Sequence, residues 1–224
     1  MKVLVVGATG GSGKAAVAEL LDRGHEVTAF SRSAASLHGM SDRLLVVVGD
    51  ATDTNDIDQA VRGQDAVLVT LGISENPLRV RVLGSSGTPI QVRSQGTRNV
   101  IAAMRAHGVS RLVVQTSYGV GETRRQLPLR YRLLFRLLLG PQIADTELQD
   151  QAVHDSGLDW VIAQPVTLTD AREDGEPFTS TRGEVGAWHV SRSSVGRFLA
   201  QALEAPTYVG QTVALSQGPY RADG

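Results

Sequence analysis

Three glycines near the start of the chain, Gly7, Gly10 and Gly13, lie three residues apart. They follow a short apolar run and open a helical pattern, which is the setting that a dinucleotide-binding fingerprint requires. The first glycine of such a fingerprint permits a sharp turn, the second lets the backbone approach a diphosphate, and the third allows a helix to pack on a strand. The N–H groups at the helix start then attract the anion. An ordinary glycine turn is the alternative.

The end of the next apolar run bears on which dinucleotide would bind. A site for NAD commonly carries Asp or Glu about 20 residues after the fingerprint, where the carboxylate holds the ribose hydroxyls. Here the run ends in Ala29–Ser33, which contains no carboxylate. Arg32 instead offers a fork of donors that suits a 2′-phosphate, with Ser31 and Ser33 as auxiliaries; a plain surface arginine is the alternative. The predicted cofactor is NADP(H).

Two more runs end in residues that would meet the same ligand. Asp50 follows the third run, where its carboxylate would accept a hydrogen bond from the adenine amino group. It could equally cap the short helix expected after it. Thr70, Leu71 and Gly72 end the fourth run, where the backbone would pass along the cofactor.

These residues need a scaffold that brings them to one edge. Val- and Leu-rich runs alternate with helical patterns along the chain, which predicts βαβ units around a parallel sheet buried on both faces. The predicted strands are Lys2–Val6, Glu26–Phe30, Leu44–Val48, Ala66–Thr70, Arg111–Gln115, Asp159–Ala163 and Thr212–Leu215. The predicted helices are Gly13–Arg23, Asp56–Val61, Thr88–Ala106, Ile143–Asp155 and Ser191–Ala205, with Gly24, Gly108 and Gly157 as left-handed caps. We therefore predict one α/β domain over residues 1–224 with a Rossmann-type, doubly wound parallel sheet.

Three stretches interrupt this rhythm, near residues 72–87, 119–140 and 170–190, and are predicted to be small insertions that cover a substrate. The first two follow strand ends, the edge at which open parallel sheets bind ligands. Within the second, Leu127–Leu139 interleaves leucines with arginines and is too apolar for a free surface loop. We expect a lid or a subunit contact there. Core packing, or a basic amphipathic helix on a membrane or partner, is the alternative.

Composition narrows the class of protein. The chain has 224 residues, a formal charge of -1 at pH 7 and no cysteine. The balanced charge argues against broad attraction to nucleic acid or anionic membranes, and the lack of cysteine excludes disulfides and thiolate sites. No apolar run approaches the ~20 residues that span a bilayer. We expect a cytoplasmic monomer or weak homodimer whose partner is a small-molecule acceptor, without a metal.

Several short motifs run through nearly the whole chain. They are Gly7–Gly10, Val48–Asp50, Gly63–Val67, Asn99–Met104, Thr116-Ser117, Ser156–Trp160, Gln164-Pro165 and Val190–Arg192. Together they resemble the atypical short-chain dehydrogenase/reductase family, in the NAD(P)-binding, NmrA-like branch that contains flavin reductase, also known as biliverdin-IXβ reductase. That branch mixes reductases, epimerase relatives and non-catalytic redox sensors. The resemblance implies cofactor contacts at Thr9, Gly10, Gly11, Ser12, Gly13, Arg32, Asp50, Ala51, Leu71, Gly72, Ser117, Pro165 and Val166.

One family feature is missing from this chain. Most short-chain dehydrogenases use a Tyr-x-x-x-Lys pair, in which the lysine lowers the tyrosine pKa for proton exchange with the substrate. This chain has lysine only at positions 2 and 14, and no tyrosine has a lysine four residues later. Gln142 and Thr146 occupy the helix positions where the family often carries the pair. Ordinary alcohol dehydrogenation is therefore not expected, whereas hydride delivery to a flavin or quinone, protonated from water, remains open.

Ser117 and Tyr118 are the predicted catalytic residues. Ser117 would orient the nicotinamide carboxamide or bind a substrate; capping the following turn is the alternative. Tyr118 would wall the pocket or donate a hydrogen bond, with plain packing as the alternative. These residues predict an NADPH-dependent reductase of a small planar acceptor such as flavin or quinone. A non-catalytic NADP(H)-sensing or protein-interaction module is the competing hypothesis.

Overall fold

The computed structural model describes residues 1–33, 37, 39, 41–73, 88–127, 129–171 and 175–218, with side chains for all of these except residues 129–139. The strands are β1 Lys2–Val6, β2 Glu26–Ser31, β3 Leu44–Val48, β4 Ala66–Val69, β5 Arg111–Gln115, β6 Asp159–Pro165, β7 Thr167–Thr169, β8 Phe178–Ser180, β9 His189–Ser191 and β10 Gln211–Ser216. The α-helices are α1 Gly11–Asp22, α2 Thr54–Val61, α3 Val92–His107, α4 Leu129–His154 and α5 Arg192–Glu204.

Eight strands form one sheet in the order β3-β2-β1-β4-β5-β6-β10-β8, and β7 pairs with β9 beside it. Neighbours in the large sheet run parallel, except that β8 is antiparallel to β10. The chain builds outward from β1 to β3 and then crosses to β4 on the other side of β1. Such a reversal opens a crevice at the carboxyl ends of the strands, where doubly wound sheets bind ligands. The predicted Rossmann-type sheet is confirmed.

Apolar side chains fill both faces of the central strands. In β1, Val3 and Val5 join the hydrophobic cluster on one face and Leu4 and Val6 the cluster on the other, and all four are fully buried. A strand buried on both faces must be a continuous apolar run, which is why these strands could be recognised from sequence. The edge strand β3 differs, since Leu45 is 62% exposed.

A close contact between α1 and α5 sets the position of both helix starts. A Cβ placed on Gly196 would lie 2.7 Å from the carbonyl carbon of Ala15, so only glycine allows this approach. Ser191 caps α5, because its Oγ accepts a hydrogen bond from the Ser194 N–H at 3.1 Å. The first residue of α5, Arg192, is thereby held beside the first turn of α1.

The predicted strands all occur, with ends that differ by at most two residues. The helix predicted over Ile143–Asp155 is wrong at its start, because α4 begins at Leu129 and runs through Pro141. A proline inside a helix costs about 3 kcal/mol, and here the packing of the later turns against α3 outweighs that cost. The helix predicted from Thr88 begins only at Val92.

Glycine caps occur where they were predicted. Gly24, Gly108 and Gly157 follow helices with φ angles of 90°, 71° and 64°, in the left-handed region that glycine enters without a steric penalty. These positions could be recognised because the requirement is local to a single residue.

The predicted insertions have different outcomes. The segment 170–190 contains β8, a strand that sequence reasoning missed. Residues 74–87 of the first insertion lie outside the described residues. In Leu127–Leu139, Leu127 is buried in the core, whereas the side chains of 129–139 lie outside the described part, so the lid or interface hypothesis stays a prediction. Among the residues described, no helix has the length and apolar character needed to cross a membrane.

Candidate functional site

The glycine turn lies at the reversal of the sheet and is shaped by its lack of side chains. Gly7 has a φ of 89°, and a Cβ there would lie 2.7 Å from the Thr70 carbonyl oxygen at the end of β4. A Cβ on Gly13 would overlap the Gly7 carbonyl oxygen. α1 begins directly after Gly10, without a side-chain cap on its N-terminus. The turn therefore forms a backbone cradle with helix N–H groups available to an anion.

Hydrogen bonds hold this cradle to the neighbouring strand. The N–H groups of Gly7 and Ala8 donate to the Phe30 carbonyl oxygen at 3.0 and 3.3 Å, and Gly10 N–H donates to the Gly7 oxygen at 3.1 Å. Gly10 and Gly11 are exposed to the crevice. The residues present thus fit a dinucleotide diphosphate, which would be held mainly by backbone groups.

A cation that sequence reasoning missed lies against this turn. A Cβ on Gly11 would overlap the side chain of Arg192, the first residue of α5. The Arg192 guanidinium forms an ion pair with Asp170 at 2.7 Å, and the Asp170 side chain is 87% exposed. No local pattern could predict this meeting, because Gly11 and Arg192 are far apart in the sequence.

Arg32 stands where β2 ends. It is exposed, and its Nη2 donates to Oγ1 of the buried Thr88 at 2.7 Å. This bond ties the guanidinium to the segment just before α3. Ser31, by contrast, is buried. Its hydroxyl donates to the Ser33 carbonyl oxygen at 2.6 Å. Arg32 is therefore the cation that β2 offers to a ligand at this edge.

The helix-capping alternative for Asp50 is wrong. Asp53 caps α2 instead, accepting from the N–H groups of Asn55 at 2.8 Å and Asp56 at 3.3 Å. One oxygen of Asp50 accepts from both the N–H and the hydroxyl of Thr52, each at 2.8 Å. The carboxylate is thus held in a fixed position after β3. Its contact with adenine stays a prediction.

α3 supports the loop ends where Ala51 and Leu71 lie. A Cβ on Gly96 would lie 2.6 Å from a methyl carbon of Leu71 and 3.1 Å from Cβ of Ala51. Asn99 donates from Nδ2 to the Ala51 carbonyl oxygen at 3.0 Å. α3 therefore fixes the positions of Ala51 and Leu71, which are two of the predicted cofactor contacts.

Ser117 and Tyr118 follow β5 but face different surroundings. Ser117 is exposed to the crevice. Tyr118 is buried, its hydroxyl donates to the Gly183 carbonyl oxygen at 2.8 Å, and burial raises its pKa. Its ring meets Trp188 edge-on, with centroids 5.7 Å apart. This geometry favours Tyr118 as a pocket wall and leaves Ser117 as the accessible polar group.

A buried polar network that supports the loop carrying Ser117 was missed by sequence reasoning. The amide nitrogen of Gln164 donates to Asp150 Oδ2 at 3.1 Å, to the Val120 carbonyl oxygen at 3.2 Å and to Thr116 Oγ1 at 3.3 Å. The Thr123 hydroxyl donates to Gln164 Oε1 at 2.6 Å. These bonds join β6, α4 and the loop after β5, and so fix the backbone on which Ser117 stands.

Asp150 is the titratable member of this network. Its burial is the main cause that raises its pKa to about 7, and the charges of Glu122 and Glu147 raise it further. Hydrogen bonds from Thr116 and Gln164 act in the opposite direction. The other carboxyl oxygen, Oδ1, is buried without a hydrogen-bond partner in the part of the chain described. A neutral carboxyl therefore suits this position better than a carboxylate.

The predicted contacts at Pro165 and Val166 lie where β6 ends. The Tyr118 N–H donates to the Pro165 carbonyl oxygen at 3.1 Å, and the Val166 N–H donates to the Leu215 oxygen at 3.0 Å. Both residues are buried beside the loop that carries Ser117. The structure thus gathers the predicted residues along the carboxyl ends of β1 to β6.

A family model described as NAD(P)H-binding matches residues 7–206. The chain belongs to this NAD(P)H-binding family. The match includes the glycine cradle, Arg32, Asp50 and Ser117, and it confirms the prediction of a nicotinamide dinucleotide-binding family. It does not distinguish NADP from NAD.

Solved structures share this fold over nearly the whole chain. A Rossmann-fold NAD(P)-binding family protein from Shigella flexneri is 26% identical, covers 100% of this chain and 96% of its own, and has a TM-score of 0.69. The anaerobillin reductase ChuY from Escherichia coli O157:H7 is 23% identical, with 100% of both chains covered and a TM-score of 0.78. A short-chain dehydrogenase/reductase from Veillonella parvula in complex with NADP is 15% identical, covers 98% and 95%, and has a TM-score of 0.80. The last two similarities establish the fold alone.

A curated relative matches more locally. The 3-beta-hydroxysteroid dehydrogenase of Mycolicibacterium neoaurum is 42% identical over 72 residues, which is 32% of this chain. The match covers 19% of that relative, so the chain spans about a fifth of its length. The similarity therefore concerns one segment and not the whole relative.

Proposed function

We propose that this NAD(P)H-binding protein is an NADPH-dependent reductase that delivers hydride to a small planar acceptor such as a flavin or quinone. The observation that carries the proposal is the open Ser117 at the end of β5, two strands from the glycine cradle, in a chain without a Tyr-x-x-x-Lys pair. NADPH supplies the hydride when bound. The protein's own groups bind and orient the two ligands.

Two arginine side chains near the candidate site support the choice of NADP(H). Arg32 presents a donor fork at the end of β2, where a carboxylate would favour NAD. Arg192 lies over Gly11, close to where the cradle would hold a diphosphate. Together they supply positive charge for both phosphate positions of NADPH.

The acceptor class follows from the acid–base groups at the site. The Tyr118 hydroxyl donates a hydrogen bond to the Gly183 carbonyl oxygen, and the chain's two lysines lie in β1 and α1. A ketone needs a positioned proton donor and an alcohol a positioned proton acceptor, whereas a reduced flavin or quinone takes its proton from solvent. In the proposed reaction the acceptor gains one hydride from NADPH and one proton from water, and NADP+ leaves. Ser117 orients the reacting rings through its hydroxyl.

The direct test is NADPH oxidation with a panel of flavins, quinones and tetrapyrroles, with secondary alcohols plus NADP+ as the contrasting substrates. We expect turnover with at least one planar acceptor and none with the alcohols. Robust alcohol oxidation would contradict the proposal.

A non-catalytic NADP(H) sensor is the second candidate, and the engaged Tyr118 hydroxyl favours it. A sensor would bind NADPH with the same residues and oxidise it with none of the acceptors. Tight NADPH binding without turnover across the panel would therefore select the sensor.

A further inference from the structure

Arg93 places a guanidinium at the ligand-binding edge. It lies in the first turn of α3, and a Cβ on Gly72 would be 3.7 Å from its Nη2. Gly72 follows β4 and comes two residues after Thr70, which contacts the glycine cradle at Gly7. Since β5 is the next strand, the guanidinium lies on the half of the edge that carries Ser117.

One terminal nitrogen of this guanidinium is buried without a partner in the described part of the chain. Nη1 of Arg93 is fully buried and has no hydrogen-bond partner among the residues described. Burial lowers the pKa of Arg93, and the charge of Asp145 only partly opposes that shift. A buried donor on a charged group that lacks an acceptor is costly. A purely structural arginine would be expected to use its donors inside the fold.

Asp145 does not supply the hydrogen-bond acceptor that Arg93 Nη1 lacks, although its negative charge acts on Arg93. Its two carboxyl oxygens accept from the backbone N–H groups of Arg93 at 3.1 Å and Ser94 at 3.2 Å. It therefore acts as a cap on the start of α3. Within the described ranges, no ion pair joins its carboxylate to the Arg93 guanidinium.

We propose that Arg93 binds the acceptor and selects molecules that carry an oxyanion, a carboxylate or a phosphate, next to the reacting ring. The proposal rests on the reductase function for the identity of that ring. A guanidinium presents a rigid fork that matches both oxyanions with two parallel hydrogen bonds. The oxyanion meets the guanidinium from the Gly72 side, where Nη2 lies, and adds to the negative charge that Asp145 supplies only in part.

Matched probes can separate charge recognition from ring recognition. Anthraquinone-2-carboxylate and its methyl ester share a ring and differ in the carboxylate; flavin mononucleotide and riboflavin share a ring and differ in the phosphate. Dissociation constants of all four would be measured by calorimetry on the NADP+-saturated protein. The variants are Arg93→Met, Arg93→Lys and, as a control on the exposed face of α3, Arg98→Met.

We expect the wild-type protein to prefer the charged member of at least one pair, on the order of tenfold to a hundredfold. Arg93→Met should remove that preference, Arg93→Lys should retain part of it, and Arg98→Met should leave it intact. The pair that shows the preference identifies carboxylate or phosphate as the recognised group. Arg93→Met should also raise the melting temperature without ligand, because an unpaired buried cation has been removed.

Three results would overturn the proposal. They are equal wild-type affinity within both pairs, a preference that persists in Arg93→Met, and a weakened affinity of Arg93→Met for NADPH, which would assign the residue to the cofactor. Should Arg93→Met fail to fold, an undiminished preference in Arg93→Lys would count against the fork geometry. Since these are binding measurements, charge discrimination without NADPH oxidation would contradict the reductase and leave the anion site standing.

Discussion

The carboxyl ends of β1, β2 and β3 form one half of the candidate site, and those of β4, β5 and β6 form the other. The first half consists of the glycine cradle, Arg32 and Asp50; backbone hydrogen bonds to Phe30 hold the cradle, Thr88 holds Arg32 and Thr52 holds Asp50. The second half exposes Ser117 on a loop supported by Gln164 and Asp150 from distant elements. Backbone shape defines the first half, whereas buried side-chain contacts define the second. The two halves should therefore respond differently to pH and to substitution.

The largest expected effect is the pH dependence of stability in the second half. Folding raises the pKa of Asp150 from 3.8 to about 7, so the folded state binds this proton more tightly than the unfolded chain does. The resulting stabilisation is fully present below pH 3.8 and is lost as the pH rises through about 7. The loss should approach roughly 4 kcal/mol.

Asp150→Asn should remove this dependence, because asparagine keeps an acceptor for Gln164 and does not ionise. Urea unfolding of both proteins between pH 4 and 8 would measure the difference, with the exposed Asp22→Asn as control. Parallel stability curves for wild type and Asp150→Asn would show that the halves do not differ in this respect.

In the first half, Gly7→Ala should cost on the order of a hundredfold or more in NADPH affinity. The added Cβ meets the Thr70 carbonyl oxygen, and alanine is strained at a φ of 89°. Gly140→Ala is the control, since a Cβ there meets no atom of the described residues within 4 Å. Near-wild-type NADPH binding by Gly7→Ala, measured by calorimetry, would refute the view that backbone shape builds this half.

Arg32→Ala should reduce NADPH affinity on the order of ten- to a hundredfold and leave NADH affinity almost unchanged, because the lost contact is a charged hydrogen bond to a 2′-phosphate. The control is Arg62→Ala, whose side chain is 70% exposed and pairs with Asp58. Equal dissociation constants of the wild-type protein for NADPH and NADH would be incompatible with this role.

The smallest effect is expected for Ser117→Ala. Turnover of the best planar acceptor should fall by about tenfold or less, with NADPH affinity retained, because the hydroxyl orients the rings and does not supply an obligatory proton. Ser110→Ala is the control, because Ser110 lies just before the amino end of β5, away from Ser117. Complete loss of turnover in Ser117→Ala would instead identify the hydroxyl as essential to the chemistry.

Sequence reasoning succeeded where one short stretch carries the whole requirement. The Val- and Leu-rich strands were recognisable because both faces are buried, and the cradle because glycine spacing meets a local steric demand. It failed for the start of α4, which begins at Leu129 and runs through Pro141 instead of beginning near Ile143. The helix cap that the sequence left open as an alternative role for Asp50 does not occur, because Asp53, three residues later, caps α2 instead.

The Val- and Leu-rich strands along the chain, the glycine cradle and the lack of a Tyr-x-x-x-Lys pair were determined by the sequence itself, the first two through hydrophobic pattern and the conformational limits of single residues. Only the tertiary structure decided that Arg192 lies against Gly11, that Asp150 supports the loop after β5, and that Arg93 Nη1 is buried without an acceptor among the described residues. Each of these features depends on how helices and strands distant in the chain pack together. A local sequence pattern therefore cannot predict that packing.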